Sequence, residues 1–200
     1  MTVTEAEIDE ELRNAPEEHG ITRGVAEATC AYRQIALQLP RFDAFVLHAS
    51  AVECDSAAYA FAAVSGVGKS THTALWLQVF GDRARVINGD KPILRFQNGR
   101  LWVFGTPWQG KENWGCNRAA PLAALCFLER GAENRIGPID NAEAVARLIP
   151  QILMPTEREG ALRFLTLLDR VLCEIPTYLL HCNTNPEAAE VALSGMKKEN

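Results

Sequence analysis

Residues 64–73 read VSGVGKSTHT and lie between the small apolar run AAYAFAA (57–63) and the longer apolar segment ALWLQVF (74–80). A short apolar run, a glycine-rich turn and a second apolar segment that stops before Gly81 predict a strand, a loop and a helix in this order. Such a loop binds phosphate well, because successive backbone N–H groups point into it and the helix N-terminus adds about half a positive charge. This stretch therefore predicts a phosphate-binding loop between a strand and a helix.

The side chains of this loop match what phosphate binding requires. Glycines stand where a Cβ would collide with phosphate, a lysine can reach the outer phosphates, and a hydroxyl can bind magnesium. The residues predicted to bind the nucleotide are Ser65, Gly66, Val67, Gly68, Lys69, Ser70 and Thr71. The full pattern GxxxxGK[ST] would place a glycine at Ala63, and this departure leaves a glycine-rich turn with an exposed lysine as the alternative interpretation.

A magnesium ion that is bound to phosphate also needs a protein carboxylate. Asp90 directly follows the strand-like run RARVING (83–89), where a second strand beside the loop would end. We therefore expect Ser70 and Asp90 to bind the metal. An aspartate after a strand is by itself more often a turn residue, so this assignment depends on the neighbouring loop.

The runs on either side of the loop predict an α/β fold with a central mixed β-sheet. Short apolar runs predict strands, longer periodic segments predict helices, and Asn98-Gly99 is typical of a two-residue hairpin turn. The predicted strands are 45–52, 57–64, 83–89, 92–96, 100–105, 122–129 and 177–182. The predicted helices are 24–39, 69–80, 140–153, 161–172 and one that begins at Pro186. Helices should therefore flank the sheet and dominate the last third of the chain.

Residues 106–121 form a long segment rich in Gly, Asn, Trp and Lys without periodicity, and we expect a functional loop here. Lys111 could reach a transferring phosphate or be solvated, and Arg118 is a weaker candidate. Trp108 and Trp114 could form an aromatic wall for a substrate or for adenine, or could fill a gap in the packing.

Acidic side chains are concentrated at the N-terminus, where residues 1–18 hold seven of them against Arg13, and the net charge of the chain is −5. We expect residues 1–20 to be an acidic, flexible segment and residues 21–200 to form a single domain. The rest of the chain is close to neutral and has no basic stripe, which argues against a nucleic-acid partner. No apolar run approaches the roughly 18 residues of a membrane span and no secretory signal is recognisable, so we expect a cytoplasmic protein without a membrane partner.

Four segments, in this order, resemble the HPr kinase/phosphorylase-like family, whose P-loop fold is shared with the ATP-dependent phosphoenolpyruvate carboxykinases. The segments are HASAV (48–52), SGVGKST (65–71), VINGDKP (86–92) and FGTPWQGK (104–111). The resemblance covers roughly residues 44–130. It implies an HPr-kinase-like domain that binds ATP and Mg²⁺ and transfers the γ-phosphoryl group to a hydroxyl.

The resemblance also implies catalytic roles for His48, Lys69 and Asp90, and Lys111 is a fourth candidate. His48 matches the family's histidine just upstream of the loop, although a histidine at a strand end could equally belong to the core. Asp90 matches one of two adjacent aspartates, and Gly89 stands where the family carries the other. If the absent carboxylate served as the general base, its loss would lower the rate by about 10²- to 10⁴-fold.

Two functions from different classes are compatible with these residues. The first is an ATP- and Mg²⁺-dependent kinase that phosphorylates a hydroxyl, either on a serine of a protein or peptide or on a small metabolite. The second is a catalytically weak nucleotide-binding regulatory module, which Gly89 and Ala63 favour. A decarboxylating phosphoryl transfer of the carboxykinase kind would need further sites, for which 200 residues leave little room. The sequence neither identifies the acceptor nor distinguishes ATP from GTP, and the resemblance permits a homo-oligomer.

Overall fold

The computed structural model describes residues 2–15 and 20–197 and has an α/β fold, as predicted. Its strands are β1 (Ala44–Val46), β2 (Ala49–Cys54), β3 (Ala57–Ala62), β4 (Ala84–Asn88), β5 (Ile93–Gln97), β6 (Arg100–Phe104), β7 (Ala119–Arg130), β8 (Arg135–Pro138) and β9 (Thr177–Cys182). Its helices are α1 (Glu5–Asn14), α2 (Arg23–Gln38), α3 (Lys69–Phe80), α4 (Asn141–Leu148), α5 (Arg158–Glu174) and α6 (Glu187–Met196). No helix within these ranges is long and apolar enough to cross a membrane.

The strands form one mixed sheet. Their order is β1-β5-β6-β7-β3-β2-β4, and β9 pairs with both β7 and β8. The pairs β3–β7 and β7–β9 are parallel, whereas the other pairs are antiparallel. The long strand β7 joins the two parts of the sheet, because its first residues pair with β6 and its last residues pair with β9.

Four strands end at one edge of this sheet. Because β2 is antiparallel to both β3 and β4, those two strands run in the same direction. β7 and β9 also run parallel to β3. The carboxyl ends of β3, β4, β7 and β9 therefore meet at one edge, together with the start of β2. In open α/β sheets this is where ligands usually bind.

Alternate residues of the central strands face two hydrophobic clusters on opposite sides of the sheet. In β3, Tyr59 and Phe61 pack with the fully buried Trp76 of α3 and with residues of α6. The intervening Ala60 belongs to the other cluster, which contains Phe164 of α5 and residues of α4. This two-residue alternation places α3 and α6 on one face and α4 and α5 on the other, so that helices cover both faces.

The sequence missed β8 and predicted β1 and β2 as one strand. β8 contains Gly137 and Pro138, which are uncommon inside strands, and it lies at the end of the sheet beside β9. A break at Leu47 and His48 separates β1 from β2, because Leu47 forms a bridge with Ile152 outside the regular strands.

The acidic N-terminal segment differs from the flexible chain that the sequence predicted, because part of it forms helix α1. Thr4 and Glu7 make a capping box in which each side chain accepts a hydrogen bond from the other's N–H. The helix packs on α2 through the buried Ile8, and arginines of α2 form ion pairs with its carboxylates. Residues 16–19 lie outside the described residues, and the domain boundary after residue 20 stays a prediction.

Candidate functional site

A cleft of about 390 Å³ opens at the sheet edge where β3 and β4 end. Its lining comes from the start of β2, the loop between β3 and α3, the turn after β4 and the irregular segment between β6 and β7. The predicted site residues in this lining are His48, Ser65, Gly66, Gly68, Lys69, Ser70, Thr71, Asp90 and Lys111. Gly89, Gly110 and Glu112 complete it. The topology thus brings together candidates that are far apart in the sequence.

The loop before α3 adopts a backbone that favours glycine at two positions. Gly66 has a φ of +82° and Gly68 a φ of +124°, a region that other residues rarely occupy. Arg130, at the end of β7, donates hydrogen bonds to the carbonyl oxygens of Gly66 at 2.6 Å and Val67 at 3.4 Å. A residue outside the loop therefore fixes the loop's shape, and no sequence pattern identified it.

The first amides of α3 have no hydrogen-bond acceptor among the described residues. The helical ladder begins at His72, whose N–H donates to the carbonyl oxygen of Gly68 at 2.9 Å. The N–H groups of Lys69, Ser70 and Thr71 are therefore free to bind an anion. The dipole of this 12-residue helix adds positive potential at the same end.

Lys69 places the ammonium group of the loop in the cleft. Its Nζ lies 3.2 Å from Nε2 of His48 and 3.4 Å from the carbonyl oxygen of Ala63. Burial lowers the pKa of Lys69, and the charge of Asp90 partly opposes this effect. A bound anion would supply a further counter-charge and so favour the ammonium form.

Nε2 of His48 lies between two groups that require it in different protonation states. It is 3.2 Å from Nζ of Lys69 and 3.1 Å from Oδ1 of Asp90. A bare Nε2 accepts a hydrogen bond from Lys69, whereas a protonated Nε2 donates one to Asp90. Because one nitrogen cannot do both, the three side chains have two proton arrangements. An anion that takes over the hydrogen bonds of Lys69 would favour the second arrangement.

Asp90 is an ionised carboxylate held at the edge of the cleft. Burial raises the pKa of Asp90, but the hydrogen bond from His48 and the charge of Lys91 lower it by more, to about 2. Nζ of Lys91 lies 3.0 Å from Oδ2 of Asp90. The buried Asn88 fixes the turn, because its Oδ1 accepts hydrogen bonds from the N–H groups of Asp90 at 2.9 Å and Lys91 at 2.7 Å.

The oxygen atoms of this cleft fit a magnesium ion. The hydroxyl of Ser70 and the carboxylate of Asp90 both belong to the lining, and Mg²⁺ prefers such hard oxygen donors. Mg²⁺ commonly takes one or two protein ligands and completes its shell with phosphate oxygens and water. Within residues 2–15 and 20–197, no three His, Cys, Asp or Glu side chains cluster as a potential metal site. The donor set therefore suits a metal shared between protein and phosphate.

The segment between β6 and β7 is irregular, as predicted, and contributes a tight turn to the cleft. The N–H of Asn113 donates to the carbonyl oxygen of Gly110 at 3.2 Å, which places Lys111 and Glu112 at the two central positions. A Cβ on Gly110 would lie 3.1 Å from Cβ of Asp90, so glycine lets the turn approach Asp90 closely. Lys111 was a predicted candidate. Glu112 was missed, because an acidic residue in a polar loop carries no signal of its own.

Gly89 lies where the irregular segment crosses the end of β4. Its N–H donates to the carbonyl oxygen of Trp114 at 2.8 Å. A Cβ on Gly89 would lie 2.8 Å from the carbonyl oxygen of Gln109 and 3.3 Å from that of Trp114. These are main-chain atoms, which move only at a cost in free energy. Position 89 therefore has no room for the second aspartate that the family resemblance implies.

The other candidates of the irregular segment pack against protein. Nε1 of Trp108 donates to the carbonyl oxygen of Ala28 in α2 at 3.3 Å, and its ring meets Tyr32 edge to face at 5.4 Å. Among the described residues, the lining of the cleft does not include Trp108 or Trp114. Arg118 forms an ion pair with a glutamate of β2. These contacts are those of packing rather than of an aromatic wall in this cleft.

A second cleft, of about 440 Å³, adjoins the same loop. It shares Gly66, Gly68 and Thr71 with the first cleft, and its other lining residues are Val67, His72, Arg130, Gly131, Cys182, Asn183 and Thr184. Val67, which the sequence grouped with the phosphate-binding residues, thus lines this cleft instead of the first. The two clefts meet at the loop, so one extended ligand could occupy both.

His72 belongs to the core that supports α3. Only 2% of it is exposed, its Nε2 accepts a hydrogen bond from Nε1 of Trp76 at 3.0 Å, and its ring packs edge to face on Phe61. Burial lowers the pKa of His72 to about 4, so the imidazole is neutral near pH 7. Its Nδ1 has no hydrogen-bond partner in the described part of the chain.

No protein-family model matches the chain, and no curated protein matches it. Among solved structures, the chain is similar to the HPr(Ser) kinase/phosphatase from Coxiella burnetii, with 13% sequence identity and a TM-score of 0.42. The alignment covers 74% of this chain and 94% of that chain. Similarity at this level does not assign an activity, so the case for a function rests on the geometry of the cleft.

Proposed function

We propose that the chain is an ATP- and Mg²⁺-dependent phosphotransferase that moves the γ-phosphoryl group to a hydroxyl, either on a serine of a protein or peptide or on a small metabolite. One observation carries the proposal. The first amides of α3, which have no acceptor among the described residues, lie in one cleft with the ammonium of Lys69 and the oxygens of Ser70 and Asp90. Each provides an interaction that a magnesium-bound phosphate chain requires.

The two adjoining clefts suggest how the nucleotide lies. Lys69 and Asp90 line only the first cleft, so the terminal phosphate and the metal would lie there. The second cleft would take the nucleoside, since its 440 Å³ is within the usual range for small-molecule sites. Gly66 and Gly68 line both clefts and would lie beneath the phosphates that join the two ends. The acceptor would then enter from the side of the first cleft.

The protein groups would act chiefly through charge and position. Lys69 and the loop amides would bind the outer phosphates and stabilise the negative charge that develops on the leaving oxygen. Ser70 and Asp90 would hold magnesium, which neutralises phosphate charge when it is bound. Lys111, on the turn across the cleft, would contact the transferring group from the acceptor's side. His48 would then donate to Asp90 and hold its carboxylate in place.

A catalytically weak nucleotide-binding regulatory module is the second candidate. The observation that favours it is Gly89, since main-chain atoms of Gln109 and Trp114 fill the space of a second carboxylate. Such a module would bind Mg²⁺ and ATP through the same amides and lysine. It would leave the γ-phosphate in place with every acceptor, so turnover distinguishes the two candidates.

The test compares Lys69→Ala with Lys197→Ala. Lys197 is a matched control because it also loses one ammonium group, from an ion pair with Asp55 that lies outside both clefts. Calorimetry with Mg²⁺ and a non-hydrolysable ATP or GTP analogue measures binding, and phosphate release from ATP measures turnover. We expect Lys69→Ala to lower turnover by about 10²- to 10³-fold and to weaken binding, while Lys197→Ala behaves as the parent chain does.

Three results would change this conclusion. Turnover by Lys69→Ala at the parent rate would remove the phosphotransferase proposal. Absence of binding by the parent chain at millimolar nucleotide would remove both candidates. Tight binding without turnover in the parent would favour the regulatory module.

A further inference from the structure

We propose that Glu112 is the general base that accepts the proton of the attacking hydroxyl. This inference rests on the proposed phosphotransferase function. In the step, the hydroxyl oxygen forms a bond to the γ-phosphorus while its proton passes to the carboxylate of Glu112. The bond between the γ-phosphorus and the β,γ-bridging oxygen breaks, and ADP leaves with that electron pair. The products are the phosphorylated acceptor, ADP and a protonated Glu112, which then returns the proton to water.

The position of Glu112 supports this role. It lines the cleft together with Lys69 and Asp90, although it comes from the opposite, irregular side. Its Oε2 lies 3.7 Å from the point that a Cβ on Gly110 would occupy, and Cγ of Asp90 lies 3.7 Å from the same point. Two carboxylates on different segments therefore flank one small region of the cleft. An acceptor hydroxyl that approaches a phosphate bound in this cleft would come close to both.

The other two candidate bases are already engaged. Oδ1 of Asp90 is 3.1 Å from Nε2 of His48, and Oδ2 is 3.0 Å from Nζ of Lys91. A carboxylate committed to cations and to a metal is a weak proton acceptor. Nε2 of His48 faces Lys69 and Asp90 and so points to groups of the site instead of an incoming hydroxyl.

Glu112 differs from Asp90 in this respect. In the described part of the chain, His48 and Lys91 form ion pairs with Asp90, and no basic side chain forms one with Glu112. Its oxygens therefore remain open to a hydroxyl donor. The carboxylate of Asp90 would therefore bind the metal, and the carboxylate of Glu112 would accept the proton.

The packing at Gly89 explains why a base would come from this turn. The main chain of Gln109 and Trp114 fills the space beside Gly89, so a side chain at position 89 would collide with it. The same segment that fills this space carries Glu112 into the lining. The same packing therefore leaves no space for a carboxylate at position 89 and places the carboxylate of Glu112 in the cleft.

The turn is held well enough to position a catalytic group. The N–H of Asn113 bonds to Gly110, the N–H of Gly89 bonds to Trp114 at 2.8 Å, and Nε1 of Trp108 bonds to α2. A base whose main chain is already held in place needs less reorganisation during the step. Glu112 would therefore contribute chiefly to the chemical step and little to nucleotide affinity.

The experiment uses the full chain with Mg²⁺ and ATP, and water serves as the probe acceptor. Glu112→Gln removes the basic oxygen at nearly constant shape, and Glu10→Gln on α1 is the control for the same change of charge. We expect hydrolysis by Glu112→Gln to fall by about 10²-fold, with the affinity for Mg²⁺ and a non-hydrolysable analogue unchanged within about twofold. Added formate should restore hydrolysis by Glu112→Ala by about tenfold, since a small carboxylate can fill the vacated space. Glu10→Gln should match the parent in every assay.

Two outcomes would overturn this role for Glu112. Hydrolysis by Glu112→Gln within about threefold of the parent rate would show that the proton goes elsewhere. Weakened analogue binding with an unchanged rate at saturation would make Glu112 a metal or nucleotide ligand. Both outcomes leave the proposed phosphotransferase function intact, because that function is tested separately, by the turnover of the parent chain and of Lys69→Ala.

Discussion

The two walls of the first cleft are built in different ways. One, the sheet-edge wall, stands on the ends of regular strands with a buried core beneath it. It consists of His48, Ser65, Gly66, Gly68, Lys69, Ser70, Thr71, Gly89 and Asp90. The other, the turn wall, consists of Gly110, Lys111 and Glu112 and rests on a few main-chain hydrogen bonds. Under the proposed function, the sheet-edge wall carries the groups that bind phosphate and magnesium. The turn wall carries Lys111 and Glu112, which would then face the acceptor.

Under the proposed function, this difference separates a general part of the site from a specific part. Phosphates and magnesium are the same for every acceptor, so the groups that bind them benefit from a rigid scaffold of strands and a helix N-terminus. Acceptors differ, and irregular segments tolerate sequence change better than strands do. The sheet-edge wall should therefore control nucleotide binding, and the turn wall should control the rate and choice of acceptor.

The largest expected effect concerns the core beneath the sheet-edge wall. The pKa of His72 in the folded protein, about 4, is below its ordinary value of 6.5, so the unfolded chain takes up a proton first as the pH falls. His72 should therefore lower the free energy of unfolding by about 3 kcal/mol between pH 6.5 and pH 4 and have no such effect above pH 6.5. Urea denaturation across this pH range measures the loss. The variant His72→Gln keeps an acceptor for Trp76 and should lose less free energy of unfolding over this pH range than the parent chain. Equal losses in the variant and the parent would contradict a buried, neutral His72.

An intermediate effect is expected where the two walls meet. Gly89→Ala would place its Cβ 2.8 Å from the carbonyl oxygen of Gln109, so we expect a loss of about 1–3 kcal/mol in the free energy of unfolding. Gly24→Ala is the matched control, because a Cβ there meets nothing within 4 Å, and in α2 alanine should stabilise by up to about 1 kcal/mol. Urea denaturation of both variants gives the comparison. If Gly89→Ala and Gly24→Ala had equal free energies of unfolding, the turn wall could shift away from position 89 without a cost in stability.

The smallest effect is expected at the contact between the irregular segment and α2. Trp108→Ala removes both the hydrogen bond to Ala28 and the edge-to-face pair with Tyr32, so we expect ATP turnover to fall by about fivefold while nucleotide affinity stays the same. Tyr32→Phe keeps the ring pair and should behave as the parent chain does. Steady-state hydrolysis and calorimetry separate the two quantities. A loss of affinity equal to the loss of turnover would show that the two walls do not act separately.

The sequence predicted the α/β fold and the elements of the sheet-edge wall because their signals are local. Strand, glycine turn and helix follow one another between Ala57 and Phe80, and each has its own composition. The edge at which β2, β3 and β4 meet then follows from strand direction. Lys69 and Asp90 could be placed together on this basis, although their roles stay predictions.

The remaining features depend on contacts between distant segments, which no local pattern reports. Gly110 matters because it lets a turn approach Asp90, and Gly89 matters because another segment crosses it. Arg130 reaches back from β7 to the loop. Helix α1 was missed because its acidic composition resembles that of a disordered tail, whereas its capping box and its contacts with α2 stabilise it.

The hydrogen bonds of Arg130 to the loop should affect the rate at which a ligand binds. Its guanidinium holds two carbonyl oxygens of the loop, at Gly66 and Val67, before any anion arrives. The loop is therefore already shaped, and under the proposed function a nucleotide that arrives by diffusion would not have to wait for the loop to order itself. The association rate would then depend on diffusion and on electrostatic attraction. The lifetime of the complex would depend on how quickly the bound phosphates leave the cleft.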